Sequence, residues 1–222
     1  MEKQLACLGL FERGHSAAEK LIFSYDYPWQ VLPHISRFII EYGATLSEDK
    51  YERQSENIWI AKNAKVSPLA SISGPCVIGE DTEVRQCAFI RGNALVGDGC
   101  VIGNSTELKN CIISDECQIP HFNYVGDSIL GYKSHMGAGA ITSNVKSDKT
   151  LIIIKANDKY IETGLKKMGA VLGDFVEVGC NSVLNPGTVI GAHSNIYPLS
   201  SVRGFVPPNS IFKDNDSIVS KY

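Results

Sequence analysis

From Ile60 onward an aliphatic residue returns every six positions, at Val66, Ile72, Ile78, Val84, Ile90, Val96, Ile102 and Leu108. The fifth place of each hexad is small: Ala64, Ala70, Cys76, Thr82, Ala88, Ala94, Cys100 and Thr106. A second unbroken register runs through Leu172, Val178, Leu184, Ile190, Ile196 and Val202. Six is neither the period of a helix nor that of a two-faced strand. It predicts short parallel strands joined by tight turns, with three hexads closing one triangular coil. The aliphatic residue fills the interior and the small one lets the corner close. Successive coils then stack at the ~4.8 Å spacing of neighbouring strands. A β-sandwich has no reason to keep such a run uninterrupted. The expected fold class is all-β, a parallel β-helix of hexapeptide repeats over residues 58–205; the period leaves its hand open.

The breaks in the period carry information too. Let face A begin at Ile60, face B at Val66 and face C at Ile72. Leu108 to Ile113 is five residues and Val125 to Leu130 is five again, so face C is shortened in consecutive coils. The register is lost after Thr142, and residues 145–169 are expected to form a loop extruded from the coil; long excursions of this kind are usually functional. Residues 1–57 read differently. Ser16 and Glu19 have capping-box spacing, and a second helix is expected from about Pro33 to Glu41, ending at Gly43. These helices are expected to cap the open end of the solenoid. Residues 206–222 read as a C-terminal tail.

Composition narrows the function. The 222 residues carry a net charge of −3, with 20% charged and 44% hydrophobic residues. That is an ordinary globular balance, without the basic face that nucleic-acid binding usually needs. No apolar run approaches the ~20 residues of a membrane span, and the first residues lack a signal-peptide layout, so the expected location is cytoplasmic. The seven cysteines form no CxxC pair, and four fall at the small position of the repeat, which argues for packing over disulfides or zinc.

Stacking turns sequence distance into neighbourhood. Arg91 and Lys109 each follow the aliphatic residue of face C, one coil apart. Their heads are expected to converge, either on an anion such as a phosphate or as a surface ladder with Glu107 and nearby carboxylates. His121 lies on face B of the next coil with Tyr124 following. A neutral imidazole suits a general base near neutral pH, although a lone histidine in a repeat is more often a solvated turn residue. His135 precedes Met136, which stacks beneath Ile119, so His135 is expected to approach His121. Two close histidines also raise a β-helical zinc hydratase. That needs a third histidine, and His15, His34 and His193 are far along the chain, so no metal is expected within one chain.

The segment ELKNCIISDECQIPHFNYVGDSILGYKSHMGAGAITSN resembles the acetyltransferase domain of the bifunctional enzymes that acetylate glucosamine-1-phosphate and then uridylylate it on the way to UDP-N-acetylglucosamine. The similarity covers roughly residues 58–205 and is nearest to archaeal members, which also carry a basic loop like Gly164-Leu165-Lys166-Lys167. The resemblance implies a left-handed coil, acetyl-CoA as co-substrate, an amino sugar phosphate or nucleotide-linked amino sugar as acceptor, and a homotrimer. It implies His121 as catalytic base and Asn144 as a residue that holds the sugar and orients the reaction. Arg91 and Lys109 match the sugar-phosphate grip, Tyr124 a substrate contact and Lys167 a lysine near the acceptor phosphate. The stretch around Ala138, with Cys180 and Tyr197-Pro198, matches the acetyl-CoA side. Two positions depart from the family: His135 replaces a common asparagine at a sugar-contacting place, and Val145 replaces an aromatic. No glycine-rich phosphate loop with the family's downstream arginine appears in residues 1–57, so nucleotidyl transfer is not expected from this chain alone. A non-catalytic sugar-phosphate-binding module is the competing expectation.

Overall fold

A computed structural model describes residues 2–156, 158–214 and 217–221, and in it the six-residue period closes into a three-faced parallel β-helix. On face A, Ile58–Ala61, Cys76–Ile78, Ala94–Val96, the end of Glu107–Ile113, the end of Tyr124–Leu130, Ala170–Leu172, Thr188–Ile190 and Phe205–Val206 pair in parallel, rung on rung. Faces B and C repeat this with strands two to five residues long, apart from Glu107–Ile113 and Tyr124–Leu130, which run on from face C to face A. The inward aliphatic residues merge into one core running from Ile58 to Phe212. Cys76, Cys100, Cys111 and Cys117 are buried within it as free thiols, filling small positions. Corner residues such as Asn110, Phe122, Asp127 and Leu199 take left-handed backbone, with φ of 50°, 53°, 48° and 61°.

The two five-residue hexads make one feature. Glu107–Ile113 and Tyr124–Leu130 each run unbroken from face C onto face A and pair along their length, Glu107 against Tyr124 and Ile113 against Leu130. One residue fewer flattens the corner, and the polar residues at it, Asn110 and Asp127, come one above the other.

Face A has a second apolar side. Between its inward residues stand Trp59, Val77, Leu95, Ile112, Ile129, Val171, Val189 and Phe205, all pointing out and all buried. Two additions cover them. Toward the chain's start lie Glu2–Leu5, Cys7–Leu10, Glu19–Ile22, a 3-10 turn over Pro28–His34 and the helix Ile35–Gly43. Ile35 and Ile39 are fully buried against face A, and Gly43 lies so close to Trp59 that a Cβ there would stand 2.3 Å from the indole. This overturns the expectation of an end cap: the helices lie along face A because its outward residues are apolar. The expected capping box also fails, since the Glu19 carboxylate takes Arg13 and the Gly14 amide instead. The second addition is the excursion expected as a loop. It contains an antiparallel hairpin, Ile153–Ala156 with Lys159–Glu162, and Ile152, Ile154, Ala156 and Met168 bury fully beside Val189 and Phe205.

Antiparallel strands cover the terminal rungs, with Tyr51–Ser55 on Ile58–Ala61 and Ser217–Ser220 on Ser210–Asp214. Such pairing occupies the open edge of a sheet. The segment expected as a tail therefore continues the coil through Ser210–Asp214. Along the corner between faces A and B, carboxylates tie neighbouring coils. Asp98 accepts the Glu80 amide at 2.7 Å, Asp115 the Asp98 amide at 2.9 Å and Asp174 the Tyr132 amide at 2.7 Å.

Candidate active site

Face C has no continuous, covered apolar row, since its outward positions mix Phe89 and Ile141 with Ser71, Glu107 and Tyr124, and most candidate residues gather there or along its edge. Ile90 pairs with Leu108, so Arg91 and Lys109 follow on adjacent rungs as expected. Their heads, however, each have a carboxylate. Arg91 Nη1 stands 2.7 Å from Glu107 Oε1, and Lys109 Nζ stands 3.2 and 3.1 Å from the two oxygens of Asp127. The ladder alternative describes this arrangement better than two cations left open to an anion. The partners differ in setting: Glu107 is partly exposed, whereas the Asp127 side chain is 6% exposed. The Glu107 contact also holds the Arg91 guanidinium above its ordinary pKa.

Asp127 is the hub of the site. Besides Lys109 it accepts Asn110 Nδ2 at 2.9 Å and Asn144 Nδ2 at 2.5 Å. The same Asn144 Nδ2 donates to the Tyr124 hydroxyl at 3.1 Å. Tyr124 reaches Asn144 by folding over Gly126, where a Cβ would stand 2.4 Å from the phenolic oxygen. Partial burial, then the charges of Asp127 and Glu107, push the Tyr124 phenol upward against the opposing Asn144 bond, so it keeps its proton near neutral pH. The excursion is anchored at this place as well. The Met168 amide donates to the Asn144 carbonyl at 3.1 Å and the Gly169 amide to the Asp127 carbonyl at 2.8 Å. The backbone of Lys167, whose side chain is exposed, is thus held beside Asn144.

His121 stands at the edge between faces B and C, three residues before Tyr124, and points away from the core: it is exposed. Its amide donates to Asn123 Oδ1 at 3.0 Å, and buried Asn123 donates onward to the Gly137 and Ala140 carbonyls at 2.8 and 3.0 Å. One column of turns runs along this edge. The Gly139 amide bonds the His121 carbonyl at 3.0 Å, the Asn181 amide that of Ala138 at 2.8 Å and the Leu199 amide that of Cys180 at 2.9 Å. His121, Ala138, Cys180 and Pro198 therefore occupy equivalent places on successive coils, with Tyr197 just before Pro198. Cys180 and Tyr197 are exposed.

His135 does not join them. Register sets it against Gln118 and Glu177, and its Nδ1 lies 2.7 Å from Glu177 Oε2. Ala138, not His135, is opposite His121, and three residues of strand separate the two histidines by about 10 Å. The stacking of Met136 beneath Ile119 was sound, but it places His135 at the far side of the face. The remaining histidines stack on aromatic rings, His15 on Tyr132, His34 on Tyr25 and His193 on Phe175. Among the described residues no group of three or more His, Cys, Asp or Glu is disposed to hold a metal ion.

Sequence reasoning named Glu107 as the alternative partner in a ladder, but missed Asp127, Asn110 and Asn123 altogether. The signal for Asp127 was present. It stands at the second shortened corner, one coil after Asn110, with Lys109 beside it.

Comparison with known proteins gives a consistent picture. The model of the GMPPB C-terminal domain matches residues 72–198. A bifunctional sugar-1-phosphate nucleotidylyltransferase/acetyltransferase of Sulfurisphaera tokodaii is 32% identical over 177 residues, 71% of this chain and 44% of the relative. The bifunctional protein GlmU of Methanococcus maripaludis is 31% identical over 199 residues, 88% of this chain and 48% of the relative. The chain thus spans about half the length of the curated relatives it matches. Among solved structures, a hexapeptide transferase family protein from Anaplasma phagocytophilum overlaps 72% of this chain and 76% of its own, at 16% identity and a TM-score of 0.41.

Proposed function

The chain belongs to the GMPPB C-terminal domain family, and from that premise we propose that it is an acetyl-CoA-dependent N-acyltransferase acting on an amino sugar phosphate or a nucleotide-linked amino sugar. The observation that carries this reading is that face C bears the Tyr124–Asn144–Asp127–Lys109 network, running to its corner with face A, while the exposed His121 and the Ala138–Cys180–Pro198 column line its edge with face B. The relative at 32% identity that is named a bifunctional sugar-1-phosphate nucleotidylyltransferase/acetyltransferase supports it.

In this reading the acceptor lies on face C, with its anionic group toward Arg91 and Lys167, and the thioester lies along the column. The amine nitrogen attacks the thioester carbonyl as His121 takes its proton. The C–N bond forms, the tetrahedral intermediate collapses with cleavage of the C–S bond, and the proton passes to the departing thiolate. A pre-placed donor facing the oxyanion would lower the barrier further. The family's homotrimer suits the column's outer edge, where Phe122 is 63% and Leu199 80% exposed; a second copy against it would give the site another wall.

A second reading has one observation in its favour. Arg91 and Lys109 are each satisfied by a carboxylate within the chain, as a binding module that performs no transfer could tolerate. Thiol release from acetyl-CoA, measured across amino sugar phosphates and nucleotide-linked amino sugars, separates the two. Release that depends on an amine-bearing acceptor supports transfer. No release with any acceptor, together with a thermal shift from sugar phosphate and none from CoA, supports the module.

A further inference from the structure

We infer that Asp127 is a positioning residue that fixes the polarity of the Asn144 amide, so that Asn144 offers the acceptor a hydrogen-bond-accepting oxygen and does not act as the oxyanion donor. This rests on the transferase reading above and assigns the chemistry of one group within it.

The argument begins with what a carboxylate can do. Asp127 faces the Lys109 ammonium and the Asn110 amide, so its oxygens only accept hydrogen bonds. An asparagine amide could present either end to a neighbour, but against a carboxylate only the NH2 end is attractive. Asn144 therefore turns Nδ2 toward Asp127, and the second proton on that nitrogen goes to the Tyr124 oxygen. Both donor positions are used within the chain. What Asn144 has left is Oδ1, which takes no partner among the described residues, and the Tyr124 hydroxyl keeps its own proton to donate. Face C thus presents an acceptor and a donor side by side. A sugar hydroxyl, or an amine that must point its lone pair at a carbonyl while holding an N–H, can satisfy both. An oxyanion can use only donors, and Asn144 has none free. Its stabilisation falls to main-chain amides of the corner column or to the Tyr124 hydroxyl.

The same residue holds the neck of the excursion, its main-chain carbonyl accepting the Gly169 amide, so the burial of Asp127 fixes backbone and side chain together. Replacing a partner in such a network leaves buried groups unsatisfied, and for that reason a single substitution cannot by itself separate polarity from packing. An exchange can.

The experiment compares the unaltered chain with Asp127→Asn, Asn144→Asp and the double exchange in thiol release with a saturating acceptor. If the unaltered chain turns over nothing, the transferase reading fails and not this inference. Given turnover, each single variant should lose at least tenfold in kcat: Asn144→Asp sets two carboxylates face to face, and Asp127→Asn lets the Asn144 amide flip. The double exchange restores a carboxylate–amide pair of the same total charge and keeps an accepting oxygen at position 144. It should regain at least tenfold over Asn144→Asp. A double variant that regains its thermal midpoint but remains as inactive as Asn144→Asp would overturn the inference, as would wild-type kcat in Asp127→Asn. Should the singles not fold, the Asn144 side-chain NH2 resonances of the unaltered chain, assigned by their loss in Asn144→Ala, decide it. Slowed exchange of both protons is expected, and exchange at the rate of a free amide contradicts the polarity.

Discussion

Faces A and C are built on the same hexad and differ in the residues that point outward. Face A turns Trp59, Val77, Leu95, Ile112, Ile129, Val171, Val189 and Phe205 away from the coil. Face C turns Ser71, Phe89, Glu107, Tyr124 and Ile141 outward, with Arg91, Lys109 and Gly126 following. An apolar outward row must be covered, and the helical segment and the hairpin cover it, because every such side chain removed from water contributes about 1.5–3 kcal/mol. The mixed row of face C, with Phe89 43% exposed and Glu107, Tyr124 and Ile141 partly so, stays open, and the chemistry collects there. The inward positions specify a solenoid that is the same on every side; the outward ones decide which side is structural and which can meet a substrate.

The largest effect should come from exchanging those roles. Ile112→Ala removes an outward side chain fully buried beneath the cover, and should cost about 2–5 kcal/mol in urea unfolding. Arg91→Ala, on the open face, breaks only a solvent-exposed ion pair and should cost about 1 kcal/mol or less. Equal costs would erase the distinction between the faces. A smaller effect sharpens it. Gly126→Ala places a methyl where the Tyr124 hydroxyl lies. Because a tyrosine ring can swing away, the thermal midpoint should change little, while transfer falls about tenfold, roughly 1.4 kcal/mol in the barrier. Unchanged turnover would mean that the Tyr124–Asn144 contact is idle.

The smallest effect belongs to the corner of face A. Burial raises the Asp115 carboxyl from 3.8 to about 6. A raised folded-state value means that the protonated form is favoured in the folded chain. This contribution to stability is complete below about pH 4 and is lost as pH rises through about 6. Asp115→Asn keeps an acceptor for the Asp98 amide and removes the titration. Relative to the parent it should gain about 1 kcal/mol at pH 7, after allowing for screening at a half-buried site, and nothing at pH 4. The difference between the two urea-unfolding curves against pH measures it.

The coil was legible because its signal repeats: Ile60, Val66, Ile72, Ile78, Val84, Ile90, Val96, Ile102 and Leu108 all obey one rule. The cover on face A was not, because its signal returns only once per coil, between pairs of inward residues, and vanishes in a search for sixes. That is why the first helices were assigned to an end. At the site, register placed Arg91 beside Lys109, whereas Ala138 and Cys180 were named only through the family resemblance and their alignment with His121 came from the structure. Register could not give the pairing of Lys109 with Asp127 or the turn of Asn144. Those depend on side-chain rotamers at the two shortened corners, where one missing residue re-aims everything after it. His135 shows the opposite failure: the vertical stacking was right, and the distance along the strand was left out.

The central claim is that transfer occurs at the bare edge where His121 stands, and steady-state turnover of His121→Ala at saturating acetyl-CoA and acceptor tests it most directly. The account predicts a fall of about 10²–10⁴-fold in kcat, with a thermal midpoint unchanged because the imidazole is exposed. Turnover within a few-fold of the parent would contradict it.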